Sequence, residues 1–123
     1  MKEENSSHIK RSVFISAGES SGDMHASSLM KELIEQSPGT TITFNGLGGD
    51  MMITEGLNAL YHTKDLATVG FADVIKKYSF FKKALNDSAA FIKQNDPDVV
   101  ILVDYPGFNL RLAAEIRKFY KKK

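Results

Sequence analysis

The sequence contains no cysteine and no tryptophan, and only 3 of its 123 residues are proline. Without cysteine there is no disulfide framework and no thiolate zinc site, which fits a reducing compartment. No apolar run approaches the roughly 20 residues that span a bilayer. The N-terminal segment MKEENSSHIKRS is charged and lacks the apolar region of a signal peptide. These absences predict a cytoplasmic protein that contacts a membrane only at its surface.

The charge is almost balanced, with 16 Lys and Arg against 15 Asp and Glu and a net charge of +1. This balance argues against a nucleic-acid partner held by bulk charge. The three histidines show no metal-ligand spacing, so we predict no metal site; His8 and His62 are predicted to be bystanders. Hydrophobic residues make up 42% of the chain, which suffices for one domain with its own core.

Strand and helix patterns alternate along the chain. Short apolar or β-branched runs predict strands, the third of them weakly, at residues 12–17, 40–49, 57–62 and 97–104. Helical spacing predicts helices at residues 24–37, 50–56, 71–95 and 110–122, the third either continuous or broken near Ser79. This alternation predicts a Rossmann-like three-layer α/β/α fold with a parallel sheet, preceded by a disordered tail at residues 1–11.

Two unusual loops follow predicted strands. AGESSGD follows the first strand and DYPGFN the fourth, so both lie at the carboxyl edge where open parallel sheets bind ligands. Neither a GxGxxG fingerprint nor a P-loop is present. The predicted substrate-binding residues are Gly18, Ser20, Ser21, Gly22, Asp23, His25 and Asn109. The alternative is that Ser21 or Asp23 merely caps the next helix.

Asp104 and Glu19 are the candidate catalytic residues. Asp104 stands at the carboxyl tip of an apolar strand, where its surroundings disfavour a charge, as suits a general base. Such a base contributes about 10²–10⁴ in rate. Glu19 is an acid at a strand end where a serine would meet any structural need. The alternative for Asp104 is a residue that caps the last helix or ends the strand.

The segment VIKKYSFFKKAL places lysines among aromatic residues, with no acid between Val74 and Leu85. On a helix this pattern suits a lipid headgroup interface, where each lysine contributes on the order of 1 kcal/mol. The predicted membrane or acyl contacts are Lys76, Lys77, Phe80, Phe81, Lys82 and Lys83. The alternative is a core-facing aromatic stripe backed by solvated lysines.

Four stretches occur in the order and spacing of the lipid-A-disaccharide synthase family: AGESSGDMHA, GLGGDMM, LATVGFADVI and VDYPGFNLRLA. From about Ser12 onward the sequence resembles the N-terminal part of this family. The resemblance implies an inverting glycosyltransferase with the two-domain GT-B fold and no metal or other cofactor. It implies transfer of 2,3-diacylglucosamine from UDP to 2,3-diacylglucosamine 1-phosphate, which forms the β-1,6-linked lipid A disaccharide at the inner face of the cytoplasmic membrane.

By the same resemblance, Asp104 is the base that takes the proton from the acceptor 6-hydroxyl. Glu19 matches an acid important for activity, and Asn109 holds the turn. Residues 12–123 would be an incomplete acceptor-side domain that lacks the UDP-binding C-terminal domain and is inactive alone. A free-standing flavodoxin-like ligand-binding module and an unrelated nucleotide-binding domain are the alternatives. A reading frame that continues beyond Lys123 into a second α/β domain would favour the enzyme over the module.

Overall fold

The computed structural model describes residues 8–69 and 74–122. Their strands are β1 (Ile9–Ala17), β2 (Thr40–Gly48), β3 (Leu57–His62) and β4 (Val99–Val103). Their helices are α1 (Ser20–Glu35), α2 (Asp50–Thr54), α3 (Thr63–Val69), α4 (Val74–Asn95) and α5 (Pro106–Ile116). The strands pair in parallel in the order β3-β2-β1-β4. The predicted Rossmann-like α/β fold with a parallel sheet is confirmed.

β1 is an inner strand, paired with β2 on one side and β4 on the other. Its side chains alternate between two apolar layers. On one face Val13, Ile15 and Ala17 pack with residues of α1, α2 and β2. On the other face Phe14 packs with residues of α4 and α5, among them Ile92 and Leu112, and its ring centroid lies 6.0 Å from that of Phe91. Helices therefore cover both faces of the sheet, which gives the three layers.

β4 lies at the edge of the sheet among the described strands. Its apolar side chains pack into both layers, Ile101 and Val103 into one and Val100 and Leu102 into the other. Both faces of this strand therefore contact apolar layers, as the predicted three-layer fold requires. Its edge position leaves the first residue, Val99, 37% exposed.

The predicted N-terminal tail is wrong at residues 9–11. β1 begins at Ile9, whose N–H donates to the Gly39 carbonyl at 3.0 Å, and residues 9–12 pair with residues 40–43 of β2. Hydrogen bonds between main-chain atoms of β1 and β2 hold these polar residues in the strand. Because their side chains take no part, the sequence shows no apolar pattern that would predict a strand here. Residues 1–7 of the predicted tail lie outside the described residues.

Several helix boundaries also differ from those predicted. α4 runs unbroken through Ser79, and its predicted start at Phe71 lies outside the described residues. α5 begins at Pro106 rather than Leu110, because a proline in the first helical turn needs no N–H partner and its fixed φ suits a helix. α3 was not predicted; among residues 63–67, whose burial the structure describes, Leu66 is the single buried side chain, which leaves little apolar periodicity.

Candidate functional site

The first and fourth strands end side by side at the carboxyl edge of the sheet. Ala17 of β1 and Val103 of β4 are register partners, so Gly18 and Asp104 both follow directly at the same edge. The two motifs predicted to form the site are therefore neighbours. This arrangement brings the two candidate acids, Glu19 and Asp104, to one end of the molecule.

The turn that carries Asp104 has an unusual backbone. Asp104 has φ 51° and Tyr105 has φ 52°, so two consecutive non-glycine residues occupy the left-handed region. Each such residue costs on the order of 1 kcal/mol or more and persists only where its surroundings impose it. Strain of this kind is concentrated at functional sites, so the turn itself marks Asp104 as a candidate.

Asn109 supplies the contacts that hold this turn. It is 3% exposed, and its amide nitrogen donates to the carbonyls of Asp104 at 2.7 Å, Val103 at 3.3 Å and Ser16 at 3.3 Å. Its amide oxygen accepts a hydrogen bond from the Ser16 hydroxyl at 2.8 Å. These contacts use both ends of the amide, so the geometry favours the turn-holding role for Asn109 over a direct substrate contact.

The Asp104 side chain is exposed, so the prediction that its surroundings disfavour a charge is wrong, and it does not cap α5. The N-cap of that helix is Tyr105, without a side-chain cap, and no hydrogen bond or ion pair joins the Asp104 carboxylate to any residue in the described ranges. The helix-cap alternative is therefore wrong. A carboxylate held on a rigid, strained turn and left without an internal partner is available to accept a proton from a ligand.

Tyr105 interlocks the two motifs. A Cβ atom added at Gly18 would lie 2.1 Å from the Tyr105 ring, so the ring occupies space that only a glycine leaves open. Burial, and next the negative charge of Glu19, raise the pKa of Tyr105 to about 12. The hydroxyl therefore remains protonated at neutral pH and is a potential hydrogen-bond donor.

Glu19 is exposed and stands at the N-cap of α1 without a side-chain capping bond. With Gly18 and Ser20 it lines a cavity of about 440 Å³, here named the Glu19 cavity. Its remaining lining residues come from α3, α4 and the turn after β4: Thr63, Lys64, Leu66, Ala67, Lys77, Phe81 and Tyr105. The cavity thus combines carboxylate, hydroxyl and ammonium groups above an apolar wall.

The predicted seven-residue loop after β1 is wrong in extent. Only Gly18 and Glu19 separate β1 from α1, and the residues from Ser20 onward are helical. Gly22 is buried in the first turns of α1, where an added Cβ would lie 3.2 Å from the Ala17 Cβ. The small residues therefore let a helix start close against the sheet. Ser21 and His25 are exposed on α1 and line neither this cavity nor the groove described below.

Asp23 has a role that the sequence did not predict. It is 7% exposed, and its carboxylate accepts backbone hydrogen bonds from Gly49 at 3.0 Å, Met51 at 3.1 Å and Met52 at 2.9 Å. It therefore caps α2, a helix whose own N-cap residue is a glycine. The glycine at the N-cap of α2 was the one sequence feature that could have indicated a capping residue from elsewhere in the chain. This geometry favours a structural role for Asp23 over the predicted substrate contact.

Replacing Asp23 by alanine is expected to lower the free energy of unfolding by about 2–4 kcal/mol, because three N–H groups at a largely buried helix start lose a charged acceptor. Urea unfolding followed by circular dichroism measures the loss. Glu32→Ala, on the exposed part of the same helix, is the control and should change it by less than about 0.5 kcal/mol. Equal effects of the two substitutions would contradict the capping role.

The family model described as lipid-A-disaccharide synthetase matches residues 13–123. The chain belongs to this family. The lipid-A-disaccharide synthase of Geobacter metallireducens is 39% identical over 86% of this chain, and that of Nitrosococcus oceani is 41% identical over 82%. A protein of Arabidopsis thaliana named probable lipid-A-disaccharide synthase, mitochondrial, is 40% identical over 89%.

The chain spans about a quarter of the length of these curated relatives, 27%, 26% and 24% respectively. The family model matches residues 13–123, from β1 through α5. This range contains all the candidate site residues of this lipid-A-disaccharide synthase family member. The resemblance carried by the four motifs is therefore confirmed at the level of the family.

The lysine–aromatic segment of this family member forms the first half of α4. Phe80 and Phe81 are half-buried: the Phe80 ring packs edge-on against Tyr61 at 5.5 Å, and the Phe81 ring lies 6.2 Å from Tyr105. The apolar side chains that project outward are instead Ile75, 78% exposed, and Tyr78, 60% exposed. Sequence reasoning missed these two, because helical spacing does not say which side faces the core.

The lysines of α4 differ in their surroundings. The Lys83 ammonium contacts the Asp87 carboxylate at 2.9 Å and the Tyr61 hydroxyl at 3.2 Å. The Tyr61 hydroxyl and then Lys83 lower the pKa of Asp87. Lys76, Lys77 and Lys82 are exposed. The charge of Lys83 is thus partly compensated within the protein, while the ammonium groups of Lys77 and Lys82 lie 6.0 Å from the ring centroids of Phe81 and Tyr78 respectively.

Two histidines predicted to be bystanders have partners. His8 contacts the Thr41 hydroxyl at 2.5 Å, and His62 Nε2 lies 2.8 Å from the Asp50 carboxylate. The hydrogen bond from His62, and next the charge of Lys64, lower the pKa of Asp50. The described ranges 8–69 and 74–122 contain no group of three His, Asp or Glu residues placed to hold a metal ion.

Proposed function

We propose that this chain is the acceptor-side part of a glycosyltransferase of lipid A biosynthesis with the GT-B fold. The complete protein transfers 2,3-diacylglucosamine from UDP to the 6-hydroxyl of 2,3-diacylglucosamine 1-phosphate. The family membership supports this proposal. The observation that carries it is the Asp104 carboxylate, exposed and unpartnered among the described residues on a strained turn; Asp104 itself lines neither cavity, but the next residue of the turn, Tyr105, lines the Glu19 cavity.

In the proposed reaction Asp104 accepts the proton of the acceptor 6-hydroxyl. The hydroxyl oxygen forms a bond to the anomeric carbon of the donor, and the bond from that carbon to the UDP oxygen breaks, with its electron pair leaving on UDP. Attack from the side opposite to UDP inverts the anomeric carbon. Glu19, at the entrance of α1, orients the sugar through its hydroxyl groups, and no step requires a metal or other cofactor.

The reaction is tested with the complete gene product that contains these residues. The two lipid substrates are supplied in detergent micelles, and the lipid product is identified by mass spectrometry while UDP release is followed. We expect one disaccharide for each UDP released. UDP release that does not depend on the acceptor would indicate a hydrolase, and binding of the substrates without any product would favour the ligand-binding module.

We further propose that the complete protein binds the inner face of the cytoplasmic membrane through the first half of α4. The described residues contain no helix that is long and apolar enough to cross a membrane. Support comes from the exposed Ile75 and Tyr78 next to the exposed Lys76, Lys77 and Lys82. Apolar side chains that enter the headgroup region beside cations are typical of interfacial helices.

Replacing Lys76, Lys77 and Lys82 by glutamate is expected to weaken vesicle binding about 100-fold or more, since each lysine contributes on the order of 1 kcal/mol. Co-sedimentation with vesicles of phosphatidylglycerol and phosphatidylethanolamine measures the change. The control replaces Lys10, Lys31 and Lys121, which are exposed elsewhere, and makes the same change in net charge. Similar losses for the two triple variants, or no loss for either, would contradict a specific contact by α4.

A further inference from the structure

A second concave surface lies between α4 and α5, here named the α4–α5 groove. Its volume is about 700 Å³, within the range of small-molecule pockets. Its apolar and aromatic lining consists of six residues: Tyr78, Phe81, Leu85, Tyr105, Phe108 and Ala114. Of these six residues only Phe81 was a predicted contact, and the α5 side of the groove was not anticipated from the sequence.

The groove adjoins the Glu19 cavity. Lys77, Phe81 and Tyr105 line both, so these three residues stand between the apolar groove and the more polar cavity. Tyr105 stacks on Phe108 with ring centroids 5.8 Å apart, and its ring also lies 6.2 Å from Phe81. A ligand that occupies both spaces therefore needs a polar head joined to an apolar tail.

The rim of the groove is cationic. Lys77 and Lys82 stand on the α4 side, and Arg111 and Lys118 on the α5 side. The one acidic residue of the rim, Glu115, is paired with Lys118 at 2.7 Å. Three cations thus face the groove without an opposing acid on its rim, which complements an anionic amphiphile. Long basic side chains also cover apolar surface with their aliphatic stems.

The dimensions suit a hydrocarbon chain. A volume of about 700 Å³ lies within the range of small-molecule pockets. A single hydrocarbon chain is thin, so this volume encloses most of its length.

We propose that the α4–α5 groove binds an acyl chain of the lipid substrate whose sugar occupies the Glu19 cavity. The identity of this ligand rests on the proposed function, while the capacity to bind an anionic single-chain amphiphile rests on the groove alone. Tyr105 stands at the junction, so the sugar and the chain meet beside the turn that carries Asp104. The chain then helps to fix the position of the acceptor hydroxyl relative to the carboxylate.

The test measures binding of dodecyl phosphate to the complete protein by isothermal titration calorimetry below its micellar concentration. Ala114→Trp places an indole in the groove, and we expect binding at least tenfold weaker. Leu110→Trp is the matched control, because Leu110 lies on the same helix, is 69% exposed and does not line the groove; its affinity should stay within twofold of the wild type. Ala114→Leu is a milder second variant should the tryptophan perturb folding.

Equal affinities for the wild type and both Ala114 variants would overturn the proposal. Absence of binding to the wild type would also overturn it, including the case in which another part of the complete protein covers the groove. The transfer assay separates this result from the proposed function. Disaccharide formation without dodecyl phosphate binding refutes the groove alone, and binding without disaccharide formation refutes the function but leaves an amphiphile site.

Discussion

Asp104→Asn in the complete protein is expected to lower kcat by about 10²–10⁴, equivalent to about 3–5 kcal/mol of barrier, with little change in acceptor affinity. The amide has nearly the shape of the carboxylate but does not accept the proton of the hydroxyl. Asparagine also tolerates the left-handed backbone at φ 51°, so the turn should survive. Single-turnover measurements with saturating donor give the rate, and calorimetry gives the acceptor affinity.

The matched control is Asp104→Ala, which also removes the base but suits the left-handed backbone less well. We expect the same loss of rate as for Asp104→Asn, together with a loss of stability of about 1 kcal/mol. Full activity of the asparagine variant would refute the role of Asp104 as general base. Equal destabilisation by asparagine and alanine would instead show that the carboxylate supports the turn.

Gly46→Ala is expected to reduce the free energy of unfolding by about 4–5 kcal/mol or more, a large part of the stability of a typical domain. Gly46 has φ 152° in the inner strand β2, and an added Cβ would lie 1.9 Å from the carbonyl oxygen of Ile15 in β1. The added Cβ clashes with main-chain atoms of Ile15, so no side-chain rotation relieves it. Urea unfolding, or failure to recover folded protein, is the readout.

Two other glycines separate the causes. Gly56 has φ 108° with open space around its Cα, so Gly56→Ala carries only the conformational cost, about 1–3 kcal/mol. Gly107 lies in the first turn of α5 with open space and no left-handed φ, so Gly107→Ala should be neutral or stabilising by up to about 1 kcal/mol. The expected order of loss is Gly46, Gly56, Gly107; any other order would contradict the steric account.

The sheet was predictable because strand–helix alternation leaves few arrangements. The position of Asp104 followed from the same rule, since it ends an apolar strand and strand ends meet at one edge. The sequence could not predict that residues 9–11 belong to a strand, because their pairing with β2 uses only main-chain hydrogen bonds. The seven-residue loop was misjudged for a related reason: serine, glycine and aspartate favour loops in isolation but here begin a helix packed on the sheet.

The roles of individual site residues depended on contacts far apart in sequence. Asp23 reaches the start of α2, 26 residues beyond Asp23, and helix periodicity could not indicate that contact. Phe80 and Phe81 were correctly placed on a helix, yet the choice between lipid and core depended on Tyr61 and Tyr105, which belong to other elements. The groove was missed because α4 and α5 become neighbours only in the folded chain.

The contact between Gly18 and Tyr105 has a consequence for hybrid proteins made from relatives. The aromatic ring at the end of β4 occupies the space that a methyl group at the end of β1 would need. A graft that imports one of these segments from a homologue with a bulkier residue at the first position would therefore force the tyrosine out and disturb the neighbouring acid. The segments that follow β1 and β4 should therefore be exchanged together in such a hybrid.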